Sequence, residues 1–230
     1  MLKLHHFIIR IKVLIPDQLF PFMSLRKEKA ARLKVQTLDQ MLKLIGKKSF
    51  DELYIDDLCA KVKISKVTLF KYFPQKEDLL LYFFRVWCLS RLTELAVKPR
   101  EGLQAIYFLF DKLSESCERH PGLMVSLAGY LGNPKRSPKP FPLKPEEKDL
   151  LFPHLPEIRT FESQTIEQML ETFVLEAIFN KEITKTSSTR DVTNLLTTVF
   201  MGGIVTAHSH QANSIKLFFR KNVDMLMRGL

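Results

Sequence analysis

The chain has 230 residues, 46% of them apolar and 26% charged, with 12 Pro, 8 Gly and 3 Cys, proportions that exclude a collagen, a disordered tail or a disulfide scaffold. Its formal charge of +10 is unevenly spread: residues 1–23 carry +2, residues 24–98 carry +7 and residues 99–230 carry +1. Clustered charge of that sign implies an acidic partner for residues 24–98, either nucleic acid or an anionic membrane surface, and leaves the near-neutral remainder another task.

Taken in chain order, residues 1–23, whose apolar run is interrupted by Pro16, Asp17 and Pro21, read as an extension, either disordered or preceding a true start at Met23, with an arm that touches DNA or a partner as the alternative. From there the periodicity is helical throughout, and an all-α chain is expected. Ala31, Val35, Leu38, Leu42 and Ile45 share one stripe, stopped by Gly46. Ile55, Leu58, Cys59 and Val62 make a second, shorter stripe, and Leu69 with Phe73 form the inward pair of a third helix that ends near Pro74. A long helix from Lys76 to about Val97 is apolar on nearly every side around Leu79 to Trp87 and should be buried at both ends. It falls short of the ~20 apolar residues needed to span a bilayer, so no membrane is expected as a partner.

Beyond Pro99, Leu103, Ile106, Tyr107, Phe110, Leu113 and Cys117 share a face that ends at His120-Pro121-Gly122, and a short helix follows from Gly122 to Leu131. Asn133 to Pro156 holds seven of the 12 prolines and reads as a surface loop or flap with little regular structure. Ile166, Met169, Leu170, Phe173 and Ala177 continue the helical pattern to about Ile183, and Lys185 to Ser188 is a polar linker. Two last helices run from about Arg190 to His208 and from Asn213 to Met227, with Asn213 and Ser214 available as caps.

The most informative stretch runs from Ile55 to Pro74. Two short helices joined by about three residues form the helix-turn-helix plan, in which the second helix enters the major groove and the first braces it. Ser65 is placed to cap that second helix through the backbone N–H of Val67 or Thr68. With Leu69 and Phe73 inward, Val67, Thr68 and Lys71 point out, and Lys66, Phe70 and Tyr72 lie on the flanks. Lys71 has the chemistry to donate to guanine, Val67 to touch a thymine methyl, and Thr68 and Tyr72 to bond phosphate or base edges.

At these residues the sequence resembles the TetR family of bacterial transcriptional regulators: Ser65-Lys66-x-Thr68-Leu69-Phe70-x-Tyr72-Phe73-Pro74-x-Lys76-Glu77-Asp78-Leu79 is similar to the family's recognition helix and the turn after it. The resemblance implies a three-helix DNA-binding domain at residues 24–75. It also implies a helical ligand-binding and dimerisation domain at 76–230. Ser65, Lys66, Val67, Thr68, Phe70, Lys71, Tyr72 and Lys76 fall at positions used on DNA. The expected partners are double-stranded operator DNA, a second copy of the chain in a homodimer, and an apolar or aromatic effector. That effector would be lined by Trp87, Tyr107, Phe110, Met124, Tyr130, Phe173 and Phe200, residues from five predicted helices that otherwise fill a core.

The sequence departs from the family at named positions. Lys63 stands where a turn glycine is usual, and Ser49 likewise. Tyr54 stands where Ser or Thr would cap the second helix, and Phe70 where a tyrosine would reach phosphate.

Three cysteines, Cys59, Cys88 and Cys117, show no metal-ligand spacing and suit a reducing, cytoplasmic setting. His208 and His210, at i and i+2, cannot face one metal from a regular helix. No catalytic constellation or cofactor-holding motif is recognisable. Two other classes stay open beside the regulator: a basic protein coating DNA without reading sequence, and an enzyme in the C-terminal half. Gly202-Gly203 inside a helical run points to close packing, read as a dimer interface with Leu196, Val199, Phe200, Ile204, Phe218, Phe219 and Met225, or else as a kink within the chain.

Overall fold

A computed structural model describes residues 25–133, 142–183 and 188–229. The expectations for residues 1–23, for the first prolines of the 133–156 stretch and for the linker at 185–187 lie outside these. Among the described residues there are helices and no strands. Five helices open the chain: α1 (Leu25–Ile45), α2 (Ile55–Val62), α3 (Lys66–Tyr72), α4 (Asp78–Val97) and α5 (Gly102–Arg119). Five more follow: α6 (Pro121–Leu131), α7 (Pro145–Leu151), α8 (Ile166–Phe179), α9 (Thr189–Ser209) and α10 (Ile215–Gly229). Two single turns of 3₁₀-helix lie at Phe50–Glu52 and Pro156–Thr160.

The helix ends carry the chemistry that their sequence offers. Thr165 and Gln168 close a capping box at the start of α8, Ser188 caps α9, and Ser214 Oγ accepts from the Leu217 N–H at the start of α10. Ser49 and Glu52 form a second capping box over the first 3₁₀ turn. Two carboxylates from the end of α8 and just beyond satisfy the start of α5. Glu176 accepts from the Gly102 N–H at 3.1 Å and Glu182 from the Leu103 N–H at 2.9 Å.

One continuous apolar core runs from Leu38 in α1 through the whole length of α4 to Val223 in α10. Helix α1 packs on α2, α4 and α7. Helix α5 is central to the rest, against α6, α8, α9 and α10. The core side of α1 differs from the expected stripe. Val35 and Leu42 are half-buried, whereas Lys34, Thr37 and Met41 are buried.

The reason is α7, which corrects the reading of this part of 133–156 as a surface loop or flap with little regular structure. Pro145 stands at the first helical position, where its missing N–H costs nothing, and Glu146 and Glu147 occupy the first turn beside the positive end of the helix dipole. A high proline count therefore hides a helix start. Helix α7 lies on α1, and its Glu147 accepts a hydrogen bond from Lys34 Nζ at 3.0 Å, with the Glu147 side chain 1% exposed. The Lys34 ammonium also stands 5.7 Å from the centre of the Tyr82 ring of α4. Burial and the neighbouring Glu147 hold the Tyr82 hydroxyl well above the usual phenol range.

A second seat for the N-terminal helices is made by the start of α6. His120 Nδ1 lies 2.9 Å from the Gly46 carbonyl oxygen. A Cβ placed on Gly122 would come within 2.3 Å of the Lys48 carbonyl oxygen, so only glycine fits there.

The turn between α2 and α3 passes through Lys63 in the left-handed region, at φ 61° and ψ 48°, as its place after α2 requires. The strain of a side chain in that conformation is of order 1 kcal/mol. Lys63→Gly should raise stability by up to about 1 kcal/mol in chemical denaturation, the relieved strain being partly offset by the freer unfolded chain. At the other seat, Glu147→Ala should destabilise by about 3–5 kcal/mol because it takes the carboxylate from a buried ammonium, while Lys34→Met combined with Glu147→Leu should recover most of that loss. Equal melting of the single and double variants would show that the pair has no such role.

Candidate nucleic-acid interface

The outward face of α3 is built from its inward one. Leu69 and Phe73 are each 1% exposed, and the Phe73 ring meets Tyr82 of α4 edge-on with centroids 5.5 Å apart. This fixes the rotation of a helix only seven residues long. Ser65 completes the positioning: its Oγ accepts from the Thr68 N–H at 3.1 Å and lies 2.9 Å from Thr68 Oγ1. Tyr54 precedes α2 with no side-chain cap and stands 71% exposed.

The eight expected contact residues separate by what they already touch. Val67 is 81% exposed, an apolar side chain in open solvent with nothing of its own chain to cover it among the described residues. Lys71 is exposed beside it, and Phe70 lies on the flank at 39%. Thr68 is half-buried by its contact with Ser65. Lys66 is exposed but paired with Asp56 at 2.7 Å, which ties the start of α3 to the first turn of α2 and raises the Lys66 pKa through that hydrogen bond.

Two of the eight sit differently. Lys76 Nζ donates to the Asp51 carbonyl oxygen at 3.2 Å and stands 4.9 Å from the centre of the Phe50 ring, so its ammonium braces the first 3₁₀ turn. Tyr72 is half-buried and packs against the core. Lys47, Lys48, Lys61 and Lys63 are exposed in the same segment. None of these lysines, nor Tyr54, is among the contacts expected from sequence, where Lys63 and Tyr54 stand out only as departures at a turn and a cap. The local charge count is the signal that carries the lysines, and the missing cap is the signal that carries Tyr54.

The seven residues expected around a ligand lie in the described structure as follows. Trp87 stacks with Phe84 at 6.2 Å and meets Phe200 edge-on at 5.9 Å. Phe200 meets Phe110 at 6.1 Å, and Phe110 meets Phe219 at 5.9 Å. These rings join α4, α5, α9 and α10 by direct contact. Trp87 Nε1 donates to Ser116 Oγ at 2.9 Å, which satisfies its polar atom. Met124 and Phe173 are buried, and Tyr130 is half-buried.

Tyr107 lies apart from this group. Its hydroxyl donates to Asp224 of α10, its pKa is pushed up to about 12 by burial and that carboxylate, and its ring lines an open cleft with Arg100, Phe108 and Arg220.

The cysteine thiols are buried, and burial pushes Cys88 and Cys117 up to about 12, which suits packing rather than thiolate chemistry. No cluster of three metal-ligating side chains occurs among the described residues. No helix among them is long and apolar enough to cross a membrane.

Residues 38–83 match the family profile of the bacterial regulatory proteins of the tetR family. No curated protein matches the sequence. Among solved structures, the chain is similar to Thermus thermophilus FadR, a TetR family transcriptional repressor in complex with lauroyl-CoA. The TM-score is 0.59 and the identity 17%, over 86% of this chain and 94% of that one. It is similar to the transcriptional regulator FadR from Bacillus subtilis in complex with stearoyl-CoA, with a TM-score of 0.57 and 15% identity over 85% and 98% of the two chains. A TetR transcriptional regulator from Rhodococcus sp. RHA1 gives 0.51 and 14%, over 86% and 98%. Since likeness at such identity is likeness of fold, the assignment rests on the matched segment and the architecture together: residues 38–83 are a helix-turn-helix domain of the TetR family, set in a chain with the all-helical fold of TetR-family regulators.

Proposed function

We propose that the chain is a ligand-responsive transcriptional regulator that binds a palindromic operator as a homodimer and acts as a repressor. The observation that carries this reading is the outer face of α3, where Val67, Thr68 and Lys71 stand over a buried Leu69/Phe73 base in a segment of charge +7. A side chain as apolar as Val67, left 81% exposed on a short helix, has a physical purpose if a thymine methyl covers it. A protein that only coats DNA needs the lysines but not that face. No cluster of three metal-ligating side chains among the described residues speaks for an enzyme in the C-terminal half.

The effector half of the reading draws on the near-neutral charge of residues 99–230 and on the likeness in fold to two regulators solved with acyl-CoA. An apolar or aromatic small molecule is the proposed class. Because Trp87, Phe110 and Phe200 contact one another ring to ring, such a molecule would have to part them to lie between them.

The homodimer reading draws on α9 and α10, with a change of residues. Leu196, Phe200, Ile204 and Phe219 are buried within the chain. A Cβ on Gly203 would meet Phe219 Cε1 at 2.4 Å, so Gly203 serves the packing of α9 on α10. Its neighbour Gly202 is exposed and has open space where a Cβ would go. On the same outer side of α9 stand Leu195 (49% exposed) and Val205 (45%), with half-buried Val199 between them. Leu217 and Met225 of α10 are also exposed. A stripe of this kind with one glycine suits close approach of a second copy about a two-fold axis.

Two tests follow. Against an operator selected from random duplexes, Lys71→Ala and Thr68→Ala should each weaken binding by about 1–3 kcal/mol with little change in melting temperature, and Lys71→Ala should relax sequence preference. Lys76→Ala should act through stability, since its ammonium is engaged inside the chain. Uniform salt-dependent binding to every duplex, unaltered by these changes, would favour the coating protein. In sedimentation equilibrium, Gly202→Leu should weaken self-association while leaving the fold intact, whereas Gly203→Leu should lower stability by disturbing Phe219. A Gly202→Leu protein that dimerises as tightly as the parent would place the interface elsewhere.

A further inference from the structure

Two open clefts, of about 450 Å³ and 470 Å³, meet at one residue, Arg100, in the turn between α4 and α5. One passes over α5 and α10. The other runs between the end of α4, from Thr93 to Lys98, and the end of α7 with the residues after it, from Leu151 to Leu155. The Arg100 guanidinium lies 4.3 Å from the centre of the Phe108 ring and makes no ion pair with any described residue. Its neighbour Lys98 is exposed and likewise makes no ion pair among them. Of the carboxylates lining the two clefts, Glu94 is held by Arg91 and by Lys112 at 3.4 Å, Asp111 by Lys216 and Arg220, and Asp224 by the Tyr107 hydroxyl, so each is engaged by a group other than Arg100 or Lys98. The surface beside them is apolar: Val97 is 75% exposed, and Phe152 and Leu155 are half-buried across the cleft.

A stacked, unpaired guanidinium next to an unpaired ammonium is an anion receptor, because the planar fork is fixed in orientation by the ring beneath it. Apolar walls on one side of it add a place for a hydrophobic body. We infer that the cleft at Arg100 binds an amphipathic anion, its carboxylate, sulfonate or phosphate head on Arg100 and Lys98 and its apolar body against Val97, Phe152 and Leu155, and that this occupancy is transmitted to the helix-turn-helix through α7.

The transmission has a short path. Leu151, which lines the cleft, follows Glu147 by one helical turn on the same side of α7. Glu147 holds Lys34 of α1 in the buried pair already described. A molecule wedged between α4 and the end of α7 bears on a helix whose other end grips the first helix of the DNA-binding segment. This inference rests on the reading of the chain as a ligand-responsive regulator, but the binding site itself is testable without DNA.

The experiment uses anilinonaphthalene sulfonate, an anionic aromatic fluorophore, beside phenylnaphthylamine, which has the same rings without the sulfonate. The full chain should bind the sulfonate saturably. Arg100→Gln and Lys98→Gln together should weaken it about tenfold or more and leave phenylnaphthylamine within twofold, and Phe152→Ser should weaken both dyes. Circular dichroism and melting temperature establish that the variants are folded, and Phe179→Ser, on the exposed apolar side of α8, serves as a control that should change neither. Absence of saturable sulfonate binding, or a loss that follows Phe179→Ser and not the Arg100 and Lys98 changes, overturns the site.

In a second arm, saturating sulfonate should lower affinity for the selected operator about fivefold or more in the parent and leave the Arg100→Gln protein unaffected. An unchanged operator affinity at saturation overturns the transmission. A parent protein that selects no operator at all overturns the regulator reading, and the dye arm then stands or falls by itself.

Discussion

The placement of the helix-turn-helix depends on a close approach that tolerates no side chain, the start of α6 lying so near the Lys48 backbone that a single carbon on Gly122 would collide with it. Opposite that contact, α1 is held through Lys34 by a carboxylate from α7. Between them the Tyr82 ring of α4 joins Phe73, at the C-terminal end of α3, to the same polar group. A buried ion pair is a weak source of stability, since desolvation offsets most of its Coulomb energy. Its geometric demand is strong, because either partner left alone is costly. The two contacts therefore act more as a register than as glue, and they leave α1 little freedom to slide against α6 or α7. Reorientation of the recognition helix then requires α6, α7 or α4 to move with it.

The interior behind this seat is organised by aromatic rings drawn from four helices. Phe84, Trp87, Phe110, Phe200 and Phe219 form a connected series of stacked, edge-on and tilted contacts. The absent side chain of Gly203 makes the room that Phe219 fills. Rings in such contact add to the area they bury, and they couple α4 to the last two helices. Helix α4 is thus shared by both halves of the chain: its first turns pack on α1 and bring Tyr82 against Phe73, and its middle is one member of the ring series. That explains why it is apolar on nearly every side, a pattern which in a helix of this length signals burial between neighbours.

Much of this was legible in the sequence where the determining interactions are local. The helix-turn-helix is visible because its stripes, the Ser65 cap and the strained Lys63 all lie within about twenty residues, and α8, α9 and α10 announce themselves by periodicity, the last also by Ser214 as a cap. What escaped was set by distant partners. The buried side of α1 includes Lys34 and Thr37, polar residues that a periodicity argument assigns to solvent, because the residue that makes burial of Lys34 tolerable is 113 positions away. Helix α7 is concealed by a proline count that includes Pro145, the residue that starts it. Gly202 and Gly203 both signal close packing, but which of them faces inward depends on where Phe219 lies. Lys76 looked like a phosphate contact from its place in the motif, and only the fold shows its ammonium over Phe50.

On the reading proposed above, in which α3 lies against a duplex, the apolar character of its outer face has a consequence for binding as ionic conditions change. Contacts through lysines release counterions and weaken steeply as salt rises. Removal of Val67 from water is governed by apolar area, which added electrolyte does not screen. Phe70, and Tyr54 at the start of α2, are exposed in the same segment. A site fitted to Val67 would retain part of its advantage in concentrated electrolyte, where lysine-mediated adhesion to arbitrary sequence has largely disappeared. Discrimination between sites would then sharpen as total affinity declines, so that selectivity and strength of binding vary in opposite directions with ionic strength.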